Sequence, residues 1–161
     1  MGWKVEFNDG LLEGLTALEQ DAEEVLRRSL YDGAKVVADA VKDGIEALPT
    51  EESRWLKDGD RYSGITRSQK ADLTAALGVS AHKQTDQGWD TVIGFNGYGS
   101  KPTKKYPKGL PNQLLARSIE SGSSVRNKNP FIRRAVNASR KEAVEAMKRT
   151  FENEVEKRMN K

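Results

Sequence analysis

The chain contains no cysteine and only one histidine among its 161 residues. Without cysteine there is no disulfide scaffold, no thiolate metal site and no cysteine nucleophile. One histidine excludes most histidine-built zinc constellations. No run approaches the roughly 18 apolar residues of a membrane span, and the opening MGWKVEFNDG lacks the apolar stretch of a signal peptide. Neither a leader nor a membrane partner is therefore expected. What the chain does have is charge, 32% of its residues against 36% hydrophobic. Its length predicts a single domain over 1–161, large enough to bury about two thirds of its unfolded surface.

The formal net charge of +3 conceals a division along the chain. Residues 1–60 hold fifteen acids and seven bases, a net of −8, whereas residues 61–161 hold nine acids and twenty bases, a net of +11. Between 101 and 141 there are eleven bases and one acid, Glu120. Such asymmetry points to a polyanion or to an oppositely charged protein surface. The alternative is that the two halves neutralise each other, within one fold or between copies.

Trp3 to Phe7 alternates apolar and polar residues, the period of a half-buried strand. Asn8-Asp9-Gly10 punctuates, with Asp9 placed to cap the N-terminus of a helix. From Leu11 to Leu48, apolar and small residues recur in steps of three and four through Leu15, Leu18, Val25, Ser29, Gly33, Val36, Ala40 and Gly44. That spacing predicts one long amphipathic helix ended by Pro49. Gly33 and Gly44 each cost about 1 kcal/mol inside a helix, and they mark a bend or a close crossing by another element. Residues 50–70 read as an extended loop with Trp55 and Tyr62 as aromatic anchors, and Ala71 to Leu77 as a helical turn or the start of a strand. Gly78–Lys83 and Trp89–Phe95 flank Thr85-Asp86-Gln87-Gly88 and read as a β-hairpin. The Pro- and Lys-rich stretch 100–110 holds no regular structure. Asn112 then caps a short helix through Leu114, Leu115 and Ile119, closed by Gly122. Pro130 opens a final helix whose apolar positions include Ile132, Val136, Val144, Met147, Phe151, Val155 and Met159. Its charged end, 156–161, is expected to fray. The order of elements predicts an α+β fold, with the long N-terminal and C-terminal helices packed on a small antiparallel sheet whose edges are open to another chain.

Catalytic chemistry finds little support. His82 has no acidic partner nearby in sequence, and Glu19, Glu23 and Glu24 fall on the polar side of the long helix as a solvated face. Ser121, Ser123 and Ser124 lack a base, Gly97-Tyr98-Gly99 lacks the rest of a phosphate loop, and no metal-ligand spacing occurs. No enzyme activity, cofactor, metal or small-molecule substrate is expected. Lys101, Lys104, Lys105 and Lys108 with Tyr106 form a basic loop carrying a ring, a combination suited to phosphate contact and base stacking, or to ordering against a partner protein. No helix-turn-helix, RRM or OB pattern accompanies it. A basic nucleic-acid-binding module is the alternative reading.

Two stretches carry a further signal. One is Glu23 to Lys42 with its end at Leu48-Pro49. The other is Ala116-Arg117-Ser118-Ile119-Glu120-Ser121-Gly122-Ser123-Ser124, followed by Asn129-Pro130-Phe131-Ile132-Arg133-Arg134-Ala135. Together they resemble the small tail-component proteins of long-tailed bacteriophages and prophages, also called head–tail joining or tail-completion proteins. The second stretch is similar to that family's pattern of an acid, a Gly followed by Ser or Thr, and Pro-Phe-(Leu/Ile)-Arg-x-Ala opening the last helix. Lys70-Ala71-Asp72-Leu73 departs from the family's Thr-Gly-x-Leu. The resemblance spans most of residues 3–155, with 50–70 and 100–110 as elaborations. It singles out Glu120, Gly122, Ser123, Pro130, Phe131, Arg133 and Arg134, and implies a non-enzymatic virion protein that completes the tail or joins it to the head. Such a protein forms a ring of copies with other tail and neck proteins, assembled in the host cytoplasm, and contact with DNA in the channel stays open.

In physical terms, Gly122 supplies a helix-ending conformation, Pro130 presets the next helix, and Phe131 and Ile132 anchor it. Arg133 and Arg134 then sit in its first turn, where positive charge opposes the helix dipole. They need a partner, either Glu120 or a neighbouring subunit's acidic face.

Overall fold

The computed structural model describes residues 2–5, 21–52 and 57–159. It is an α+β fold. Four helices, α1 (Ala22–Glu46), α2 (Arg67–Ala76), α3 (Asn112–Ser121) and α4 (Phe131–Met159), accompany four short strands, β1 (Gly2–Val5), β2 (Leu77–Val79), β3 (Lys83–Thr85) and β4 (Gly88–Phe95). Strand β4 is central. It pairs antiparallel with β1, Gly2 opposite Val92 and Val5 opposite Trp89, while β2 and β3 follow one another along its other side. The expected hairpin is present with Asp86 and Gln87 between its strands, but Ser80 to His82 interrupt the first arm. Phe7 and the Leu11 to Gln20 portion of the expected long helix lie outside the described residues.

The chain groups into two compact units, one of Met1–Val37, Val79–Ile93 and Ser139–Lys161, the other of Ala38–Gly78 and Gly94–Ala138. In the first, α1 buries Val25, Leu26, Ser29, Leu30, Ala34 and Val37, and α4 buries Ser139, Ala143 and Met147. The Ser29 hydroxyl donates to the Val25 carbonyl at 2.8 Å, so its burial leaves no orphaned polar group. Gly33 is a close crossing. A Cβ there would stand 2.5 Å from Met147 Cγ, so the absence of a side chain makes room for Met147.

In the second unit, Val41, Ile45, Leu48, Ile65, Leu73, Leu115, Ile119 and Phe131 form the core. Helix α1 ends before Pro49 as expected, and Lys70 Nζ donates to the Glu46 and Leu48 carbonyls at 2.9 and 2.8 Å. A cation at those orphan carbonyls both bonds them and complements the dipole.

Several expectations need correction. The loop expected over 50–70 ends at Thr66, because Thr66-Arg67-Ser68-Gln69 is a capping box. Thr66 Oγ1 accepts the Gln69 amide and Gln69 Oε1 accepts the Thr66 amide, which starts α2 at Arg67. Asn112 does not cap α3; it is the first helical residue, and its side-chain amide donates to the Asn96 carbonyl at 3.0 Å. Pro130 precedes α4, its carbonyl accepting the Arg134 amide at 3.1 Å. Along α4 the buried line runs in steps of four through Phe131, Ala135, Ser139, Ala143 and Met147, while Val144 and Met159 are exposed. Small residues rather than large apolar ones mark the inward face. The helix continues through Met159, held at that end by Arg158.

Candidate functional site

Two clusters stand at opposite ends of α3. Its ten residues span about 15 Å at the helical rise of 1.5 Å per residue.

At the C-terminal end, α3 turns into α4 through Gly122, whose φ of +77° favours glycine. A Cβ there would also lie 3.2 Å from the Lys128 backbone. The Asn129 amide returns to the Ile119 carbonyl at 2.8 Å. Across this corner the Glu120 carboxylate accepts the Ile132 amide at 2.8 Å and the Arg133 amide at 3.1 Å. Glu120 is therefore not a side-chain partner of Arg133 or Arg134; it satisfies the opening amides of α4 and places negative charge at its positive end. Phe131 is buried behind the corner and Ala135 one turn on. Arg133 and Arg134 are exposed, and Arg134 bonds the Asn129 side-chain oxygen.

Ser123 and Arg126 bond each other's backbones in a tight turn, and the Ser123 hydroxyl lies 3.3 Å from that of Ser118. Arg126, 8% exposed, is legible in the sequence only as part of a polar loop. Its guanidinium donates to the Gly64 carbonyl and stands 5.4 Å from the Tyr62 ring centre. The Tyr62 amide donates to the Val125 carbonyl and the Asn127 amide to that of Tyr62, at 2.9 and 2.8 Å. Tyr62 is thus an anchor, as expected; Trp55 lies outside the described residues. Burial lowers the Arg126 pKa from the usual arginine value, opposed by Tyr62 and the Glu51 carboxylate. Glu51 itself accepts the Ser63 and Gly64 amides at 2.6 and 2.8 Å.

At the N-terminal end of α3 stands the basic loop. The Gly99 amide donates to the Leu110 carbonyl at 2.8 Å, and Tyr98 bridges Pro111. The Thr103 and Gly109 amides both donate to the Tyr106 carbonyl at 2.9 Å, and Ser100 bonds Asp72 through its amide and hydroxyl. The excursion has no regular element but is closed by its own bonds. Lys101, Lys104, Lys105 and Lys108 are all exposed; Tyr106 is half-buried, with Lys105 Nζ 5.5 Å from its ring centre.

The charge division sorts by unit. The first unit has fifteen acids and twelve bases, net −3; the second has nine acids and fifteen bases, net +6. In the first, acids and bases from the two ends of the chain neutralise each other. Glu154, 6% exposed, accepts Arg158 at 2.7 Å, Arg28 at 2.8 Å and Lys157 at 3.2 Å, while Arg158 also reaches Asp21 and Glu24. The Arg158 hydrogen bond does most to hold the Glu154 pKa at about 2, against the opposing effect of burial. In the second unit, no ion pair forms among the described residues. Nine bases and only Glu120 occupy 94–138, and the Glu120 carboxylate is bonded to backbone amides.

No family model, curated protein or solved structure matches this chain.

His82 lies half-buried with its ring 5.6 Å from that of Trp89. It lines an open cleft of about 540 Å³ with Arg27, Tyr31 and Asp32, but Asp32 accepts the Thr150 hydroxyl and the cleft's two glutamates are ion-paired. Among the described residues no three His, Asp or Glu side chains converge as metal ligands, and no described helix is long and apolar enough to cross a membrane.

Proposed function

We propose that the chain is a non-enzymatic structural virion protein of a long-tailed phage or prophage, completing the tail or joining it to the head as a ring of copies. It assembles in the bacterial cytoplasm and works by contact with itself and with tail or neck proteins. The supporting observation is the uncompensated basic surface of the second unit, where exposed cations from Lys101 to Arg134 have no carboxylate partner among the described residues. Exposed charge left unpaired within a fold is free to pair between subunits. The resemblance at Glu120 to Ala135 supplies the virion context, and the bonded corner there presents Arg133 and Arg134 outward from a fixed helix start.

Charge reversal tests this. Arg133→Glu with Arg134→Glu removes two cations from the positive end of α4, so the fold is unchanged or slightly stabilised, within about 0.5 kcal/mol. Tail assembly in cells carrying the variant falls sharply. Normal tails, or a lost assembly accompanied by a lowered melting temperature, would overturn the proposal. A stand-alone nucleic-acid binder would instead show DNA affinity falling by orders of magnitude between low and moderate salt.

A further inference from the structure

The basic loop differs in composition from the arginine-bearing corner at the other end of α3. From Gly99 to Gly109 the chain carries Lys101, Lys104, Lys105 and Lys108, no acid, and no large apolar side chain other than Tyr106. Protein interfaces are depleted in lysine and built around an apolar centre. Four lysines without such a centre are the reverse. Phosphate oxygens need only exposed point charges, which lysines supply.

The bonds of the loop gather those charges. The Thr103 and Gly109 amides both donate to the Tyr106 carbonyl at 2.9 Å, so turns 103–106 and 106–109 close on one oxygen and the two amides stand within about 6 Å of each other. Lys104 and Lys105 lie in the first turn, Lys108 in the second, and Lys101 two residues before them. At the base the Gly99 amide bonds the Leu110 carbonyl at 2.8 Å. Gly109, at φ +96°, lets the Gly99 carbonyl approach where a Cβ would collide. The cations therefore sit on a pre-folded loop, and little ordering is left for a ligand to impose. All four are exposed, and none is ion-paired among the described residues. The carboxylate at the base, Asp72, is bonded to Ser100. The Tyr106 ring is half-buried with Lys105 over it, which favours the backbone of a duplex over the bases of a single strand.

We infer that the Lys101–Lys108 loop contacts the phosphate backbone of duplex DNA without reading its sequence, while Arg133 and Arg134 serve protein contact. The inference rests on the assembly reading only for where the DNA is met, in the channel of a ring of copies. The contact itself is measured on the isolated chain.

Fluorescence anisotropy of a labelled duplex with the full-length protein, at several salt concentrations, tests it. Each lysine on a phosphate contributes about −0.9 to the slope of log K against log salt, so four contacts lower affinity about a hundredfold between roughly 50 and 200 mM. A protein making six to ten such contacts loses roughly 10³–10⁵ over the same range. A loop variant (Lys101→Ala, Lys104→Ala, Lys105→Ala, Lys108→Ala) weakens binding about tenfold or more at low salt and reduces the slope by about 3 to 4; Lys104→Ala alone reduces it by about 1. A control that removes as much exposed charge from the first unit (Lys35→Ala, Lys141→Ala, Lys148→Ala, Arg149→Ala) binds as wild type does. Melting temperatures verify both folds, and duplexes of unrelated sequence bind equally. A loop variant that binds like wild type overturns the inference and assigns the loop to an acidic protein surface. So does a control that loses as much as the loop variant. A preference for single strands that Tyr98→Ser abolishes also overturns it, since Tyr98, 58% exposed, would then be a stacking platform. If the loop variant loses DNA but intact particles form without the protein, the virion reading fails and this contact stands. If the loop variant keeps DNA while the arginine variant blocks tail assembly, the reverse holds.

Discussion

Removing the Glu120 carboxylate should unlock the corner between α3 and α4. In the native chain it accepts two amides, of Ile132 at 2.8 Å and Arg133 at 3.1 Å, and no other carboxylate occurs between 94 and 138. Side-chain caps are worth roughly 0.5–2 kcal/mol, and a negative charge at a helix start adds about 0.3–1 kcal/mol. Arg133 and Arg134 raise the stake, because their charges face the same helix end with nothing else to offset them. Glu120→Ala should therefore destabilise the chain by about 2 kcal/mol, lowering the melting temperature by about 4–8 °C for a chain of this length. Glu120→Gln keeps an acceptor and loses the charge, so about half that effect is expected, shrinking with added salt. Urea denaturation of the three proteins at two salt concentrations measures both terms. Introducing Arg134→Glu into the Glu120→Gln variant should recover part of the loss. Equal stability of wild type and Glu120→Ala, or a Glu120→Gln effect indifferent to salt, would refute the assignment.

Three further outcomes are expected. Gly33→Ala puts a Cβ 2.5 Å from Met147 Cγ, so overpacking outweighs the roughly 1 kcal/mol gain in helix propensity and the variant is net destabilised; in a Met147→Ala background the same change stabilises, which thermal melts will show. Glu154 has its pKa lowered from 4.5 to about 2, so its contribution is complete above pH 4.5 and disappears as pH falls toward 2. With solvent screening at Arg28 and Lys157 the gain is on the order of 1 kcal/mol; the stability gap between wild type and Glu154→Gln should close over that window, and a constant gap would contradict the pairing. Limited trypsin digestion should cut first within Lys101–Lys108, which is exposed and lacks regular structure, and a spared loop would show that it is shielded.

Period and punctuation make the secondary structure legible where apolar side chains are large. The helix with its Pro49 stop, the presence of a hairpin turn between the two arms and the turn at Gly122 follow from local physics. By contrast, the arm expected over Gly78–Lys83 is split into Leu77–Val79 and Lys83–Thr85, and the second half of the helix buries Val37, Val41, Ile45 and Leu48 rather than Val36, Ala40 and Gly44. Helix α2 is equally local, since Thr66 and Gln69 carry the capping-box signature, but without a strong apolar period that pattern reads as loop. The inward face of α4 is hidden because Ala135, Ser139 and Ala143 are chosen for closeness rather than size. Arg126 is invisible to sequence reasoning: its burial depends on Tyr62 and Gly64, more than sixty residues away. At the candidate site, spacing singles out Glu120, yet its bonding to backbone amides rather than to arginines emerges only in three dimensions. The charge division is visible at once, whereas its partition into a neutralised first unit and an uncompensated second one requires the fold.

Electron microscopy of virions made with and without the protein tests the assembly role most directly. With the protein absent, tails should be incomplete or unjoined to heads, and the wild-type chain supplied in trans should restore them while the Arg133→Glu, Arg134→Glu variant does not. Intact, joined particles formed in its absence would contradict a structural role in the virion.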